Sequence, residues 1–145
     1  MLYRDIHASL LRFCMDTSDQ WFENVPQFVN FDSAADEELL PKADLIGPLA
    51  LSIMLDDHLI NGTVQIGYSS WADTNLFRLV ERMDALLELL KPTCQIPLYD
   101  ATGAAGVKGL LVVENGTRLM PVVVGKTRPV QFIGINFSST LTFTL

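Results

Sequence analysis

The sequence contains few of the residues that most often bind metals or form disulfides. Its 145 residues include two cysteines, Cys14 and Cys94, and two histidines, His7 and His58. Neither pair has the close spacing that is typical of a zinc site or a redox motif. We therefore interpret both cysteines as reduced core thiols and expect neither a metal nor another cofactor.

Catalytic motifs are also scarce. There is no Gly-x-Ser-x-Gly nucleophile motif, and neither cysteine lies in a recognisable one. Residues 125–127 read Gly-Lys-Thr, like the end of a phosphate-binding loop, but the first glycine of that loop would fall on Met120. The glycines at 103, 106 and 109 precede a predicted strand, whereas a dinucleotide site precedes a helix. The sequence therefore predicts a protein that is not an enzyme.

No uninterrupted apolar run reaches the roughly 18 residues that a membrane-spanning helix needs. Hydrophobic residues nevertheless make up 49% of the chain and charged residues 19%, which is enough packing material for a buried core. We expect a single domain over residues 1–145 with no membrane partner.

The sequence has fewer basic than acidic residues. Ten basic residues face 17 acidic ones, and the net charge of −7 argues against a basic surface that grips nucleic acid. Residues 1–100 carry 16 acidic and 6 basic side chains, whereas residues 101–145 carry one acidic and four basic. Two interpretations follow: solvated acidic loops beside a nearly neutral sheet, or self-association in which the acidic part of one copy faces the basic part of the next.

Two segments have the apolar spacing of amphipathic helices. One runs from Leu2 to about Met15, and the other carries a stripe from Leu76 to Leu90. Asp73 or Thr74 can cap the second helix, and Pro92 ends it.

Alternating apolar residues predict strands, and Asn-Gly pairs predict the turns between them. Between the helices, residues 49–55 and 64–68 form one predicted hairpin around Asn61-Gly62. After the second helix, residues 110–113 and 119–124 form another around residues 114–117. A closing strand begins at Ile133 and continues to Leu145.

Residues 16–48 are irregular and acidic, with room for a short strand near 27–31. Together these elements predict an α+β fold: an antiparallel or mixed sheet with long hairpins and two main helices packed on one face.

Four segments carry a family resemblance: LYRDIHASLLRF, the hairpin LALSIML…TVQIGY, the helix TNLFRLVERMDALLELL and the closing strand INFSSTLTFTL. In this order, which covers most of the chain, they resemble the tail terminator and tail completion (neck) proteins of long-tailed bacteriophages. The segment GAAGVKGLLVVENGTRLMPVVVGKTRP departs from the plainest members of that family. It could form an arm that reaches a neighbouring subunit or a sheath protein.

The resemblance implies a non-enzymatic structural protein of the virion, assembled in the host cytoplasm. Such a protein forms a ring, commonly a hexamer, at the head-proximal end of the tail. It ends tail polymerisation and joins the tail to the neck. Its partners would be other copies of itself, the tail tube or sheath, and the neck proteins. DNA would pass through the central channel without being bound specifically.

Charge suggests where the copies would meet. The candidate subunit interface consists of Glu37, Glu38, Asp56 and Asp57 on one side and Lys108, Arg118, Lys126 and Arg128 on the other. Phe22, Phe28 and Phe31 fit interface anchors and core residues equally well. Two alternatives stay open. One is a baseplate or tube subunit of a phage or injection machine. The other is a small-molecule or peptide-binding module, which would have an apolar pocket with a few convergent polar groups.

Overall fold

A computed structural model describes residues 2–21, 23–33, 37–57, 59–102 and 106–139. Within these ranges the chain forms two α-helices and eight strands. In chain order they are α1 (Leu2–Ser18), β1 (Gln27–Phe28), β2 (Leu45–Asp56), β3 (Leu59–Ser69), α2 (Phe77–Leu89), β4 (Gln95–Tyr99), β5 (Val107–Val113), β6 (Arg118–Leu119), β7 (Val123–Val124) and β8 (Pro129–Ser139).

The strands form one mixed sheet in the order β1-β2-β3-β8-β5-β4, and β6 and β7 also pair with β8. The first pair, β1 and β2, is parallel, and the other pairs are antiparallel. The longest ladders join β2 to β3 and β3 to β8, so these three strands form the centre of the sheet.

Both helices pack on the same face of this sheet. The register places Ile66 opposite Ile133 and Val64 opposite Ile135, so these side chains point to one face. The helices bury their apolar stripes against that face. Their core residues are Ile6, Leu10 and Cys14 of α1 and Leu79, Met83 and Leu86 of α2. The predicted α+β fold, with two main helices on one face of a mixed sheet, is confirmed.

Both predicted helices are present. The second is preceded by a short 3-10 turn, and the Asp73 carboxylate accepts hydrogen bonds from the backbone N–H groups of Arg78 (3.1 Å) and Leu79 (2.9 Å). Asp73 therefore caps the first turn as the sequence predicted, but from three residues before Leu76, the residue at the N-cap position. Val80, which was placed on the apolar stripe, is 59% exposed. In the part of the chain that the structure describes, neither helix is long and apolar enough to cross a membrane.

Strand β2 contains a bulge that changes which of its residues face the core. The register shifts after Leu49, where Ala50 adopts a positive φ of 56°. Ile46 faces the core before the bulge, and Ile53 does so after it. The prediction of one apolar face over residues 49–55 is therefore wrong for Leu49, because an extra residue reverses the alternation of side chains.

The first hairpin was predicted to turn at Asn61-Gly62, but its turn comes earlier in the chain. Asp56 already pairs with Leu59, and Asn61 and Gly62 lie inside the ladder. The glycine serves a close approach instead: a Cβ at Gly62 would stand 2.3 Å from the ring of Phe137. Glycine is therefore needed at position 62 for packing against Phe137 and not for a turn.

The second predicted hairpin is also wrong. In the described residues β5 does not pair with β6 or β7. Instead all three follow one another along β8, with Val113 opposite Phe137, Leu119 opposite Ile133 and β7 opposite the start of β8. The predicted turn at 114–117 is an interruption of this edge, because the Glu114 N–H already donates to a β8 carbonyl. The observed hairpin joins β7 to β8 through residues 125–128.

Two further predictions concern short or terminal segments. The short strand near 27–31 is present as β1, whereas β4, which contains Pro97, was not predicted. Pro97 is tolerated because β4 is the last strand in the sheet order. The closing strand is confirmed up to Ser139, and its predicted continuation over residues 140–145 lies outside the described residues.

A Gly62→Ala variant tests the contact between Gly62 and Phe137. We expect a loss of about 1–3 kcal/mol in the free energy of unfolding, because the added methyl group overpacks the ring. Urea denaturation measures it. Gly134→Ala on neighbouring β8 is the matched control, since the nearest atom to its Cβ is 3.9 Å away, and it should change stability by less than about 0.5 kcal/mol. Equal effects of the two variants would contradict this account.

Candidate functional site

The carboxylate of Glu37 is bound by the turn between β7 and β8, which we call the 125–128 turn. Oε1 accepts hydrogen bonds from the N–H groups of Thr127 (2.8 Å) and Arg128 (2.9 Å) and from the Thr127 hydroxyl (2.8 Å). Oε2 accepts one from the N–H of Lys126 (2.9 Å). Gly125 lets the carboxylate approach, because a Cβ there would lie 2.5 Å from Oε2. The turn is therefore an anion-binding nest of consecutive N–H groups.

These four bonds stabilise the ionised form of Glu37. The hydroxyl and N–H of Thr127 contribute most, and together with the N–H groups of Lys126 and Arg128 they lower the pKa of Glu37 to about 2. Glu37 therefore carries its charge at any ordinary pH.

Arg128 extends from the same turn into the protein and is only 5% exposed. Its guanidinium donates to the carbonyl oxygens of Pro41 (2.7 Å) and Ala43 and to the Ser69 hydroxyl (2.7 Å), and it lies 5.3 Å from the ring centre of Trp71. The side chain thus ties the segment before β2 to the end of β3. Burial lowers the pKa of Arg128, but an arginine stays charged.

Asp44 is the centre of a second buried network next to Arg128. Its carboxylate accepts hydrogen bonds from the Tyr68 hydroxyl (2.5 Å), the Trp71 N–H (2.8 Å) and the Arg78 guanidinium (2.7 and 2.9 Å). Burial opposes ionisation, but these donors outweigh it and lower the pKa of Asp44. Burial and Asp44 together raise the pKa of Tyr68.

A third network anchors α1. Asp5, which is 2% exposed, accepts hydrogen bonds from the Lys108 ammonium group and from the Ala101 N–H (2.9 Å). One turn along the helix, the Ser9 hydroxyl accepts the N–H of Tyr99 at the end of β4 (2.8 Å). Lys108 is therefore paired within its own chain.

Three of the eight predicted interface residues have their partners within the chain: Glu37 binds the 125–128 turn, Lys108 binds Asp5, and the buried Arg128 binds carbonyl oxygens and Ser69. Exposed side chains among the eight are those of Glu38, Asp56, Asp57, Lys108, Arg118 and Lys126. Contact of any of the eight with another subunit stays a prediction.

Strand β2 has an outer edge that is uncovered over its second half. Strand β1 pairs with β2 only near its start, and the Ala50 N–H donates to the Asp32 carboxylate (3.1 Å). Beyond Ala50, over residues 51–56, no strand among the described residues pairs with this side of β2. We call residues 51–56 the open edge. It carries two exposed apolar side chains, Met54 (64%) and Leu55 (66%), and ends beside Asp57.

The helix-free face of the sheet carries a groove of about 710 Å³ next to β6. Its lining includes Thr63, Gln65, Asn136 and Arg118. A second groove of about 440 Å³ shares Thr63 and Asn136 with it and reaches Met54 on the open edge. The two therefore form one continuous depression, whose lining mixes hydroxyl and amide groups with apolar residues such as Met54 and Met120.

The sequence did not decide whether Phe22, Phe28 and Phe31 are core residues or interface anchors, and the structure describes the surroundings of two of them. Phe31 packs edge-on against Phe132 of β8, with ring centres 5.3 Å apart. Phe28 lies half-buried in β1, and Phe22 lies outside the described residues.

Neither cysteine forms a disulfide, and burial raises the pKa of Cys14 to about 12. Among the described residues, no group of three or more His, Cys, Asp or Glu side chains is placed to hold a metal ion.

Sequence reasoning missed Asp5, Asp44 and Arg78, which are among the most constrained charges in the molecule. Asp44 directly precedes an apolar strand, and Asp5 interrupts the apolar face of α1. An acidic residue inside or next to a buried pattern was the available signal, because a buried carboxylate must be paired.

Comparison with known proteins adds support for the fold alone. No protein-family model and no curated protein matches the chain. A solved structure is similar over 99% of both chains, with a TM-score of 0.68 and 9% sequence identity, and the name of that protein describes no function. At this identity the similarity shows a shared α+β architecture.

An Arg128→Lys variant tests the buried guanidinium network. Lysine cannot reach all three acceptors, so we expect the free energy of unfolding to fall by about 2–3 kcal/mol. Chemical denaturation measures it. Arg118→Lys, at an exposed arginine, should cost less than about 0.5 kcal/mol. If Arg128→Lys cost no more than Arg118→Lys, the hydrogen bonds of Arg128 would contribute little to the free energy of unfolding.

A Glu37→Gln variant tests the anion nest through pH. Because the folded-state pKa is about 2 and the ordinary value 4.5, the stability from Glu37 is fully present above pH 4.5. It is lost as the pH falls toward 2. The difference in melting temperature between wild type and variant should therefore be constant above about pH 5 and shrink below it. If the difference in melting temperature did not change with pH, the lowered pKa of Glu37 would be contradicted.

Proposed function

We propose that this chain is a non-enzymatic structural protein that assembles into a ring at the head-proximal end of a long phage tail. There it ends tail polymerisation and joins the tail to the neck in the virion. The observation that carries the assembly part is the open edge of β2 with exposed Met54 and Leu55. An unpaired strand edge bearing apolar side chains is a template for pairing with another chain. The phage part rests on the resemblance of the sequence.

The two ends of the sheet favour an interface between unlike surfaces. On the far side, the β4 edge is blunted, because Pro97 lacks an N–H and the Tyr99 N–H is bound by Ser9. The open edge therefore does not meet an equivalent edge at the other end. An interface between unlike surfaces closes into a ring when its rotation permits.

Charge supports one particular partner for the open edge. It ends at the exposed carboxylates Asp56 and Asp57, while Arg118 and Lys126 are exposed basic residues near β8. Arg118 also lines the helix-free groove. We propose that the acidic end of one copy contacts this basic region of the next copy, which retains the charge pairing that the sequence suggested.

A second candidate, a peptide-binding module, is favoured by the groove itself. Its continuity with the open edge, and its mixture of polar and apolar lining residues, suit an extended peptide that adds a strand and forms hydrogen bonds with the hydroxyl and amide groups. The two functions differ in solution: the ring protein associates with itself or with tail tubes, whereas the module stays a monomer and binds a peptide.

The double variant Asp56→Lys with Asp57→Lys tests the proposed interface. We expect self-association, or association with polymerised tail tube, to weaken about tenfold or more, because attraction becomes repulsion. Sedimentation and negative-stain images of the wild type and variant measure it. Glu81→Lys with Asp84→Lys on α2 is the matched control, since it changes the net charge equally on an exposed helix surface, and it should assemble normally.

A second double variant makes the test specific. Arg118→Glu with Lys126→Glu should also assemble poorly alone, but a mixture of the two double variants should form rings again, because each acidic surface regains a basic partner. Failure of the mixture would overturn the charge pairing. A wild-type chain that stays monomeric and does not bind polymerised tail tube would overturn the proposed function.

A further inference from the structure

The 125–128 turn supplies every hydrogen-bond donor that the Glu37 carboxylate uses. All four donors to the carboxylate belong to Lys126, Thr127 and Arg128, while the carboxylate comes from about 90 positions earlier in the chain. The turn is closed by its own hydrogen bond from the Gly125 N–H to the Arg128 carbonyl (3.0 Å). The Arg128 side chain is also anchored on Ser69 of β3 (2.7 Å) and on the carbonyl oxygens of Pro41 and Ala43. The backbone donors are therefore held by the hairpin's own hydrogen bond and by the buried Arg128 side chain, and none of them depends on Glu37.

The shape of the receptor matches a carboxylate. Both oxygens are used, three bonds falling on Oε1 and one on Oε2. The bare Cα of Gly125 closes the remaining side, so that a Cβ would stand 2.5 Å from Oε2 and 2.9 Å from the carboxylate carbon. A planar group with two oxygens fits this space, whereas a tetrahedral phosphate brings further oxygens toward Gly125. The bonds to Lys126 and Thr127 lie at an exposed surface, which an outside group can reach.

We propose that the 125–128 turn is a carboxylate-binding site in its own right, and that it binds the side chain of an aspartate or glutamate of another protein when Glu37 does not fill it. In this structure Glu37 occupies the site from within the chain. Consecutive N–H groups and one hydroxyl recognise the charge and shape of the anion, so the partner is defined by an exposed acidic side chain. The site does not depend on the chain forming a ring.

Chemical rescue tests the site, with acetate as the probe for an acidic side chain. Glu37→Ala vacates the receptor, and Glu37→Ser serves as a second variant in case the alanine variant folds poorly. We expect sodium acetate, compared with sodium chloride at equal ionic strength, to raise the melting temperature of either variant by about 3–5 °C at ten times its Kd. Wild type should not respond, because Glu37 fills its site. In the NMR spectrum, the amide signals of Lys126, Thr127 and Arg128 should shift saturably.

Two controls separate binding at the turn from a general effect of acetate. In Glu37→Ala with Gly125→Ala, the added methyl group occupies the vacated space, and the response to acetate should disappear. Glu38→Ala removes the neighbouring charge but leaves the receptor filled, so it should not respond either. The proposal is overturned if neither Glu37 variant responds specifically to acetate, if the Gly125→Ala combination responds equally, or if inorganic phosphate binds more tightly than acetate.

Discussion

The carboxylate of Asp44 joins parts of the molecule that are far apart in the chain. It accepts hydrogen bonds from Tyr68 at the end of β3, from Trp71 in the following loop and from Arg78 on α2. Arg128 lies beside it and binds the carbonyls of Pro41 and Ala43, just before β2. A buried charge is tolerated only when it is paired and hydrogen-bonded. This requirement fixes the position of α2 and the entry into β2 relative to the centre of the sheet.

The same requirement divides the charges of the molecule into two kinds. Glu37, Lys108 and Arg128 satisfy partners within the chain, and their charges thereby contribute to the fold. Asp56, Asp57, Arg118 and Lys126 have exposed side chains. Within the molecule, the ion pair of Asp5 with Lys108 joins the acidic first part of the sequence to the basic last part. We propose that a second such pairing, between Asp56 and Asp57 and the basic residues Arg118 and Lys126, forms between molecules. The four exposed residues can meet another copy without breaking any of these contacts within the chain.

Local patterns in the sequence predicted an element correctly where that element buries one continuous face. The two helices, the closing strand up to Ser139 and the cap at Asp73 follow from apolar spacing and capping chemistry, and so does the α+β class. Strand partners were less predictable. The Asn-Gly pair at residues 61–62 has the sequence of a turn, but it lies inside a strand, where Gly62 leaves room for the ring of Phe137 on β8. Likewise, β5 and β6 follow one another along β8 instead of pairing, which alternation alone does not specify.

The sequence by itself determined the composition of the core, the two amphipathic helices and the excess of acid in its first hundred residues. These depend on residues close together in the chain, where periodicity reports burial directly. Tertiary structure decided the bulge at Ala50, the placement of β4 and the use of Glu37 by the 125–128 turn. Each of these depends on a partner that comes from a distant part of the chain. A carboxylate has no preferred donor until folding brings one within hydrogen-bonding distance, so its role was settled only in three dimensions.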